Sequence, residues 1–149
     1  MVGRGRGDVT AMVQGGLASR QSDPVRGLPV PFANEDDSGR ADHATVVKKR
    51  AIRCALSRIC GICGTSLTWP VAFIGAPAEA ADNLFIYPPL HPACADEAVA
   101  TLGGEVGGVL GHAQAVSHWQ TILTGGFDLV RPTVHGAPVL FRPNSPIEN

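Results

Sequence analysis

The sequence predicts a small α+β domain, and three observations carry this prediction. Apolar residues recur at helical spacing over about 42–59 and 93–102, while the last third consists of short apolar runs separated by turn residues. Glycine and proline, at 18 and 12 of the 149 residues, favour short strands and loops over a long helical bundle. Aromatic residues make up only 5%, so the core must rest on smaller aliphatic side chains. A metal staple would help to stabilise a core this thin.

Three segments are expected along the chain. Residues 1–39 lack helical or strand periodicity, so we expect them to be mostly disordered, with 28–32 extended against the folded part. Residues 40–142 are expected to form the folded domain, and residues 143–149 a frayed tail. We find no apolar run long enough to span a membrane and no stretch that resembles a signal peptide, so the sequence predicts a cytoplasmic protein.

The first predicted helix covers about residues 42–59. Its apolar positions recur every three or four residues and comprise Val47, Ala51, Cys54, Ala55 and Ile59. Asp42 is a suitable N-cap, because its carboxylate can accept a hydrogen bond from an unpaired backbone N–H of the first turn. Cys54 falls on the apolar face, where a cysteine is more often a small buried side chain than a metal ligand.

Charge is unevenly distributed along the chain, although the formal net charge is only −1. Residues 40–58 carry a net charge of +5, whereas residues 59–149 carry −5. Cations on a helix could contact phosphates, which makes nucleic acid one expected class of partner. The candidate contacts are Lys48, Lys49, Arg50, Arg53 and Arg58. The alternative is a solvated helix face, and the overall charge argues against strong non-specific attraction to nucleic acid.

The middle of the chain predicts alternating strands and helices. Residues 65–75 are rich in β-branched and aromatic side chains and predict a strand, which Pro70 places at a sheet edge. Residues 77–83 predict a short helical turn, and residues 84–87 predict another short strand. Residues 93–102 predict a helix, because a proline precedes them and a glycine pair follows.

The last third predicts short antiparallel strands. These strands cover residues 116–123, 127–130 and 139–141, and the glycines in 124–126 predict a hairpin turn. The apolar side chains at 139–141 permit an exposed edge or patch that could bind another protein.

Two pairs of side chains have the spacing of metal ligands. Cys60-x2-Cys63 is followed, after 27 residues, by His91-x2-Cys94, and within each pair both side chains can reach one ion. Gly64 follows the first pair, where a positive φ lets backbone N–H groups turn toward the sulfurs. The second pair brackets a predicted helix start, whose positive end favours a thiolate at Cys94. Four protein ligands complete a tetrahedral site, so we predict one structural Zn²⁺ per chain.

Other uses of these residues stay open from the sequence. An even number of cysteines allows disulfides, although the two motifs leave an unlike pairing. A thioredoxin-like redox site expects its Cys-x2-Cys to follow a strand, whereas here a helix precedes the motif. Trp69 and Trp119 are expected to be core anchors, since aromatic side chains are usually buried. The remaining histidines lack partners at metal spacing and are expected to be surface or packing residues: His43, His112, His118 and His135.

The predicted order of a knuckle turn, strands and a helix that supplies the last two ligands resembles the treble-clef family of zinc modules. The resemblance covers residues 60–102 and implies a treble-clef-like zinc domain, preceded here by a basic helix and followed by short strands. The motifs CGICG at 60–64 and PPLHPACA at 88–95 also resemble those of small uncharacterised proteins from actinobacteria and their phages. That resemblance implies no particular reaction.

The sequence is compatible with three functions. The default is a non-enzymatic interaction module, stabilised by zinc, that binds a protein or nucleic acid. A nuclease of the His-Asn-His type is an alternative, but its histidine base and second metal site would have to come from His112, His118 and Asp128. A zinc deaminase does not fit, because it needs His-x-Glu before Pro-Cys-x2-Cys. The third possibility is a phage or mobile-element accessory factor that binds a host protein. Neither a membrane nor a small-molecule substrate is expected as a partner.

Overall fold

A computed structural model of the chain describes residues 16–147. This part of the chain contains the helices α1 (Lys48–Ser57), α2 (Pro77–Asp82) and α3 (Pro92–Leu102) and the strands β1 (Val71–Gly75), β2 (Gln120–Thr124), β3 (Phe127–Val130) and β4 (Leu140–Pro143). Two 3₁₀-helices, Gly16–Ser19 and Phe32–Asn34, precede α1. The prediction of a small α+β fold is therefore confirmed. No helix in the described residues has the length and apolar character needed to cross a bilayer.

The four strands form two separate antiparallel pairs. β1 pairs with β2, with Val71 opposite Thr124, and β3 pairs with β4. The predicted hairpin across 124–126 is therefore wrong, since β2 and β3 follow one another in sequence but lie in different sheets. The Thr124 hydroxyl stabilises this break, because it donates to the Gly126 carbonyl at 2.6 Å and accepts the Ser145 N–H at 3.1 Å.

Several predicted strands differ in extent from those in the structure. Only the second half of the strand predicted over 65–75 is a strand, because the residues before β1 run through turns. Residues 84–87 contribute one isolated bridge, from Phe85 to Phe141. β2 begins at Gln120 rather than at 116. The helical segments α2 and α3, in contrast, match their predicted bounds to within one residue.

β1 lies between two apolar clusters, and all five of its residues are buried. Successive side chains of a strand point to opposite faces. Ala72 and Ile74 accordingly pack into the first cluster, and Val71 and Phe73 pack into the second. β1 belongs to a two-stranded sheet and has one neighbouring strand, which agrees with the prediction that Pro70 places it at a sheet edge. β2 covers one edge, and a bridge from Ala72 to the segment before α3 covers part of the other.

Most of the phenylalanines of the chain lie in the second cluster or pack against it. The ring of Phe73 lies at its centre, with ring centroids 5.7 Å from Phe85, 5.5 Å from Phe127 and 6.0 Å from Phe141. Phe141 is fully buried and Val139 is only 3% exposed. The apolar side chains at these two positions are therefore part of the core and form no exposed patch.

α1 begins at Lys48, later than the sequence predicts. Asp42 is not its N-cap, because the Asp42 carboxylate accepts hydrogen bonds from the Ala44 N–H and the Thr45 hydroxyl in a local turn. The N–H of Val47 donates to the Ala33 carbonyl at 2.8 Å, which holds the chain extended just before the helix. Cys54, on the inner face of α1, is fully buried as predicted.

The N-terminal segment differs from the expectation of a mostly disordered stretch over 1–39. Residues 1–15 lie outside the described residues, but from Gly16 onward the segment packs against the domain. Leu17 and Ala33 are fully buried. The Glu97 carboxylate of α3 accepts two backbone N–H groups of the first 3₁₀-helix, at 2.9 and 3.1 Å. A segment without periodicity can therefore fold here, because the domain supplies partners for its backbone.

The end of the chain also differs from the expected frayed tail over 143–149. The N–H of Ile147 donates to the Leu123 carbonyl at 2.9 Å, and the N–H of Gly125 donates to the Ser145 carbonyl at 2.9 Å. The described part of this segment therefore lies along β2, and residues 148–149 are outside the described residues.

Candidate metal centre

The first pair of predicted ligands lies in a tight turn after α1. The N–H of Cys60 donates to the Thr65 carbonyl at 2.8 Å, and the N–H of Gly64 donates to the Cys60 carbonyl at 3.0 Å. Gly64 has a φ of +76°, and a Cβ at this position would lie 2.8 Å from a ring carbon of Phe32. The N–H of Ile62 points at Cys60 Sγ over 3.4 Å. The turn thus has the backbone N–H orientation and the positive φ that the sequence predicts for a knuckle.

The second pair lies at the N-terminus of α3. His91 occupies the N-cap position with a ψ of 141°, and Pro92 is the first helical residue, where its fixed φ suits the helix. Cys94 follows in the first turn, so its sulfur lies near the positive end of the helix dipole. The N–H of His91 donates to Cys60 Sγ at 3.4 Å, which joins the start of the helix to the first turn.

The four side chains form one compact cluster. The ligand atoms of Cys60, Cys63, His91 and Cys94 all lie within 4.8 Å of one another. Nδ1 of His91 is 3.4 Å from Cys63 Sγ and 3.7 Å from Cys94 Sγ. Zinc–ligand bonds of about 2.3 Å to sulfur and about 2.0 Å to nitrogen, at tetrahedral angles, place ligand atoms about 3.5–3.8 Å apart. The cluster could therefore bind a metal ion with little rearrangement.

Two residues behind the cluster orient its ligands. Nε2 of His91 lies 2.8 Å from the Ser66 carbonyl oxygen. Because a carbonyl only accepts, Nε2 donates this hydrogen bond, and Nδ1, which faces the sulfurs, is the nitrogen available to a metal ion. The Thr65 hydroxyl lies 3.0 Å from Cys63 Sγ, where it can donate to a thiolate. Neither partner is predicted from the sequence, where their only signal is their position directly after the first ligand pair.

Hydrogen bonds within the cluster shift the pKa values of Cys60 and Cys94 in opposite directions. Burial opposes ionisation of Cys60, but hydrogen bonds from Cys63, Cys94 and two backbone N–H groups hold the pKa of Cys60 well below its ordinary value. Hydrogen bonds to Cys60 and Cys63, together with burial, raise the pKa of Cys94. Burial raises the pKa of Cys54, which lies outside the cluster, to about 12. All four cysteines are free of disulfide bonds in the structure.

Three of the five basic residues predicted to contact nucleic acid lie against the N-terminal segment. Lys49 Nζ is 3.0 Å from the Asp37 carboxylate, and Arg50 donates to the Phe32 carbonyl at 3.0 Å. The guanidinium carbons of Arg50 and Arg53 lie 4.4 and 5.6 Å from the centroid of the Phe32 ring. Acidic and aromatic side chains of this segment thus contact three of the cations of α1, although Lys49 and Arg53 remain exposed.

The other two basic residues contact the C-terminal third. Lys48 Nζ lies 3.4 Å from the Ala137 carbonyl oxygen. The guanidinium carbon of Arg58, just after α1, lies 5.4 Å from the centroid of the Phe127 ring. The five residues predicted to contact nucleic acid therefore lie in two places. Three lie against the N-terminal segment and two against the C-terminal third.

The three residues considered for a nuclease site have other roles or positions. Nε2 of His112 donates to the Glu79 carboxylate, and Nδ1 donates to the Leu110 carbonyl at 2.8 Å, so neither nitrogen is placed to act as a base. Burial opposes the charge on His112, but the hydrogen bond to Glu79 raises its pKa overall. His118 is exposed, and Asp128 lies on β3. Within residues 16–147, no second group of three or more metal-ligating side chains lies close together.

The two tryptophans have different environments. Trp119 is half-buried against the first apolar cluster, and its Nε1 donates to the Gly103 carbonyl at 3.0 Å. Trp69 is 71% exposed, so the prediction that it anchors the core is wrong. The reason is local: residues 65–70 form surface turns, and the chain enters the core only at β1.

No protein-family model, curated protein or solved structure matches this chain. The interpretation of the cluster therefore rests on the chemistry and geometry of its side chains.

Proposed function

We propose that the chain is a small interaction module whose fold is organised by one structural Zn²⁺, bound by Cys60, Cys63, His91 and Cys94. The observation that carries this proposal is the convergence of four ligand atoms within 4.8 Å, three of them sulfur. Thiolate and imidazole ligands favour zinc over Mg²⁺ or Ca²⁺. Four protein ligands also leave no coordination position for water or substrate, which supports a structural rather than a catalytic ion.

The order of the elements supports a treble-clef-like arrangement. A knuckle turn with the first ligand pair is followed by β1 and then by α3, whose first turn carries the second pair. The principal partner of β1, however, is β2, which comes after α3 in sequence. The likeness to treble clefs thus concerns the elements that carry the ligands more than the strand pairing.

The position of the cluster explains why the ion would matter for folding. Cys60 and Cys94 belong to the first apolar cluster, together with residues of β1 and α3. A bound ion would therefore link the end of α1, the turn before β1 and the start of α3. Apparent zinc-binding free energies in small fingers are about 10–16 kcal/mol, which is comparable with the total stability of a domain.

The described residues give the nuclease alternative no support. The proposed ion has no open coordination position. Both ring nitrogens of His112 make hydrogen bonds, so this histidine is not placed to act as the base of a nuclease. A protein or a nucleic acid is then the class of partner that a folded, four-ligand zinc module would bind.

Removal and return of the metal would test the role of zinc in folding. Protein treated with a strong chelator under reducing conditions should lose its near-ultraviolet circular dichroism and the dispersion of its amide NMR signals. One equivalent of Zn²⁺ should restore both signals, and Mg²⁺ should not, because it is a poor match for thiolates. An unchanged spectrum after verified removal of all metal would contradict the proposal.

A further inference from the structure

Trp69 stands out among the exposed apolar side chains. The residue is 71% exposed and lies between the Cys-x2-Cys turn and β1. Its indole approaches the backbone at Gly125, because a Cβ added to Gly125 would lie only 3.0 Å from Nε1. One edge of the indole thus rests on the backbone at Gly125, and most of the ring remains accessible. Exposed tryptophans are enriched in binding surfaces, because a rigid aromatic ring offers much contact area at little entropic cost.

Arg58 lies on the stretch of chain that is hydrogen-bonded to the segment carrying Trp69. Its carbonyl accepts the N–H of Leu67 at 2.8 Å, two residues before Trp69. Its guanidinium carbon lies 5.4 Å from the centroid of the Phe127 ring. Because Gly125 and Phe127 are two residues apart, the side chains of Trp69 and Arg58 cover the same short stretch of chain. Arg58 is exposed and makes no side-chain hydrogen bond or ion pair within residues 16–147.

The stretch of sequence that carries both residues is basic. The sequence contains no aspartate or glutamate between Asp42 and Glu79, a stretch that includes both Arg58 and Trp69. Asp128, the acidic residue next to Phe127, lies opposite Arg142 in the pairing of β3 with β4. The surface of Arg58 and Trp69 therefore differs from the basic face of α1, where acids of the N-terminal segment lie against the cations.

We infer that Arg58 and Trp69 form a binding surface for single-stranded nucleic acid. An unpaired base would stack on the accessible indole, and the guanidinium would donate hydrogen bonds to an adjacent phosphate. A duplex fits less well, because its bases are already stacked on one another and cannot reach the ring. This inference rests on the proposed interaction module and specifies its partner and its surface.

Tryptophan fluorescence gives a direct test, because the chain has only two tryptophans. The zinc-loaded protein is titrated with an oligothymidylate and an oligouridylate of about 12 nucleotides, a length within the usual site size of such surfaces. We expect quenching in the parent and in Trp119→Phe, which keeps Trp69, but not in Trp69→Phe. Fluorescence anisotropy of a labelled oligonucleotide measures affinity in parallel and does not depend on the Trp119 variant.

Affinity should fall about 10-fold or more in Trp69→Ala, because each stacked base contributes strongly to binding. Arg58→Ala should also weaken binding and should reduce the slope of log affinity against log salt by about 0.7, the value for one phosphate contact on a single strand. Arg131→Ala, at another exposed arginine, serves as the matched control and should leave both quantities unchanged.

Three results would overturn the inference. These are the absence of binding at about 50 mM salt, equal affinity of the parent and Trp69→Ala, and competition by a duplex as strong as that by a single strand. Metal content and circular dichroism of each sample separate the two proposals. Failure to bind by a folded protein with one zinc rejects only the nucleic-acid surface, whereas a folded protein without zinc rejects the proposed module itself.

Discussion

The hydroxyl of Tyr87 donates a hydrogen bond to Asn34 Oδ1 over 2.6 Å, inside the core of the molecule. Tyr87 is fully buried and Asn34 is 1% exposed. The amide nitrogen of Asn34, which carries two hydrogens, in turn lies within hydrogen-bond distance of three carbonyl oxygens, those of Asp42, His43 and Thr45. One buried amide therefore ties the N-terminal segment and the chain before α1 to the segment that precedes α3.

Replacement of Tyr87 by phenylalanine should destabilise the zinc-loaded protein by about 1–3 kcal/mol, because it leaves the buried Asn34 oxygen without a donor. Asn34→Ala should cost more, since the backbone carbonyls around its amide nitrogen also lose a donor. Unfolding in guanidinium chloride measures both effects, with the exposed Asn144→Ala as control. A loss of less than about 0.5 kcal/mol in Tyr87→Phe would show that this hydrogen bond contributes little.

Gly64→Ala should destabilise the protein by about 2–4 kcal/mol, from left-handed strain and from the close approach of Phe32. Gly39→Ala is the matched control, because Gly39 also has a positive φ, of +88°, but nothing lies within 4 Å of an added Cβ. The control should show only the strain of about 1–2 kcal/mol. Equal losses in the two variants would indicate that the contact with Phe32 is unimportant.

Thr65→Val should lower the affinity for zinc about 10- to 100-fold, the usual effect of removing a partner behind a metal ligand. The variant removes the hydroxyl that lies 3.0 Å from Cys63 Sγ but keeps the shape of the side chain. Competition with a chromophoric chelator measures the affinity. Thr68→Val, at a nearby exposed position, should bind zinc like the parent. If both variants match the parent, the hydroxyl plays no part in metal binding.

Glu79 and His112 should make stability depend on pH. Burial opposes ionisation of Glu79, but hydrogen bonds from His112 and two backbone N–H groups lower its pKa below 4.5, and the pKa of His112 is raised above 6.5. The raised histidine pKa stabilises the fold fully below pH 6.5, and this contribution is lost as the pH rises through the folded-state pKa. The lowered carboxyl pKa stabilises the fold above pH 4.5 and is lost as the pH falls through its folded value.

Glu79→Gln should therefore cost more stability near pH 6 than near pH 9, by about 1–2 kcal/mol for a hydrogen-bonded pair of this partial exposure. Glutamine keeps one oxygen for the Ala76 N–H but loses the oxygen that accepts the Ile86 N–H. That loss does not depend on pH, so the difference between the two pH values isolates the charge. Denaturant unfolding at the two pH values measures the difference, and the exposed Asp82→Asn on the same helix is the control. A cost that is equal at both pH values would contradict the ion pair.

The sequence predicts the metal cluster more fully than it predicts the fold. Ligand spacing depends on a few local residues, and the pairs around Cys60 and His91 occupy the predicted turn and helix start. Local composition also predicts α2, which is rich in alanine, and α3, which has a proline at its start. Sequence patterns over a few residues carry this information directly.

The strand pairing and the buried polar groups could not be predicted in this way. β1 pairs with β2 from beyond α3, and such long-range pairing leaves no mark in the local pattern around Pro70. Asn34 lies in a segment with the composition of a loop, yet its side chain is buried because its hydrogen-bond partners come from other segments of the chain. Trp69 shows the reverse error: its size predicts burial, but the turns around it hold the ring at the surface.

Metal content per chain is the most direct test of the central claim. Elemental mass spectrometry is applied to protein purified without a metal-affinity tag, alongside Cys60→Ser, Cys94→Ser and the control Cys54→Ala, whose cysteine lies outside the cluster. We predict one zinc per chain in the parent and in Cys54→Ala, and loss of zinc in the other two variants. A folded parent without zinc, or zinc retained in both serine variants, would contradict the assignment of the site.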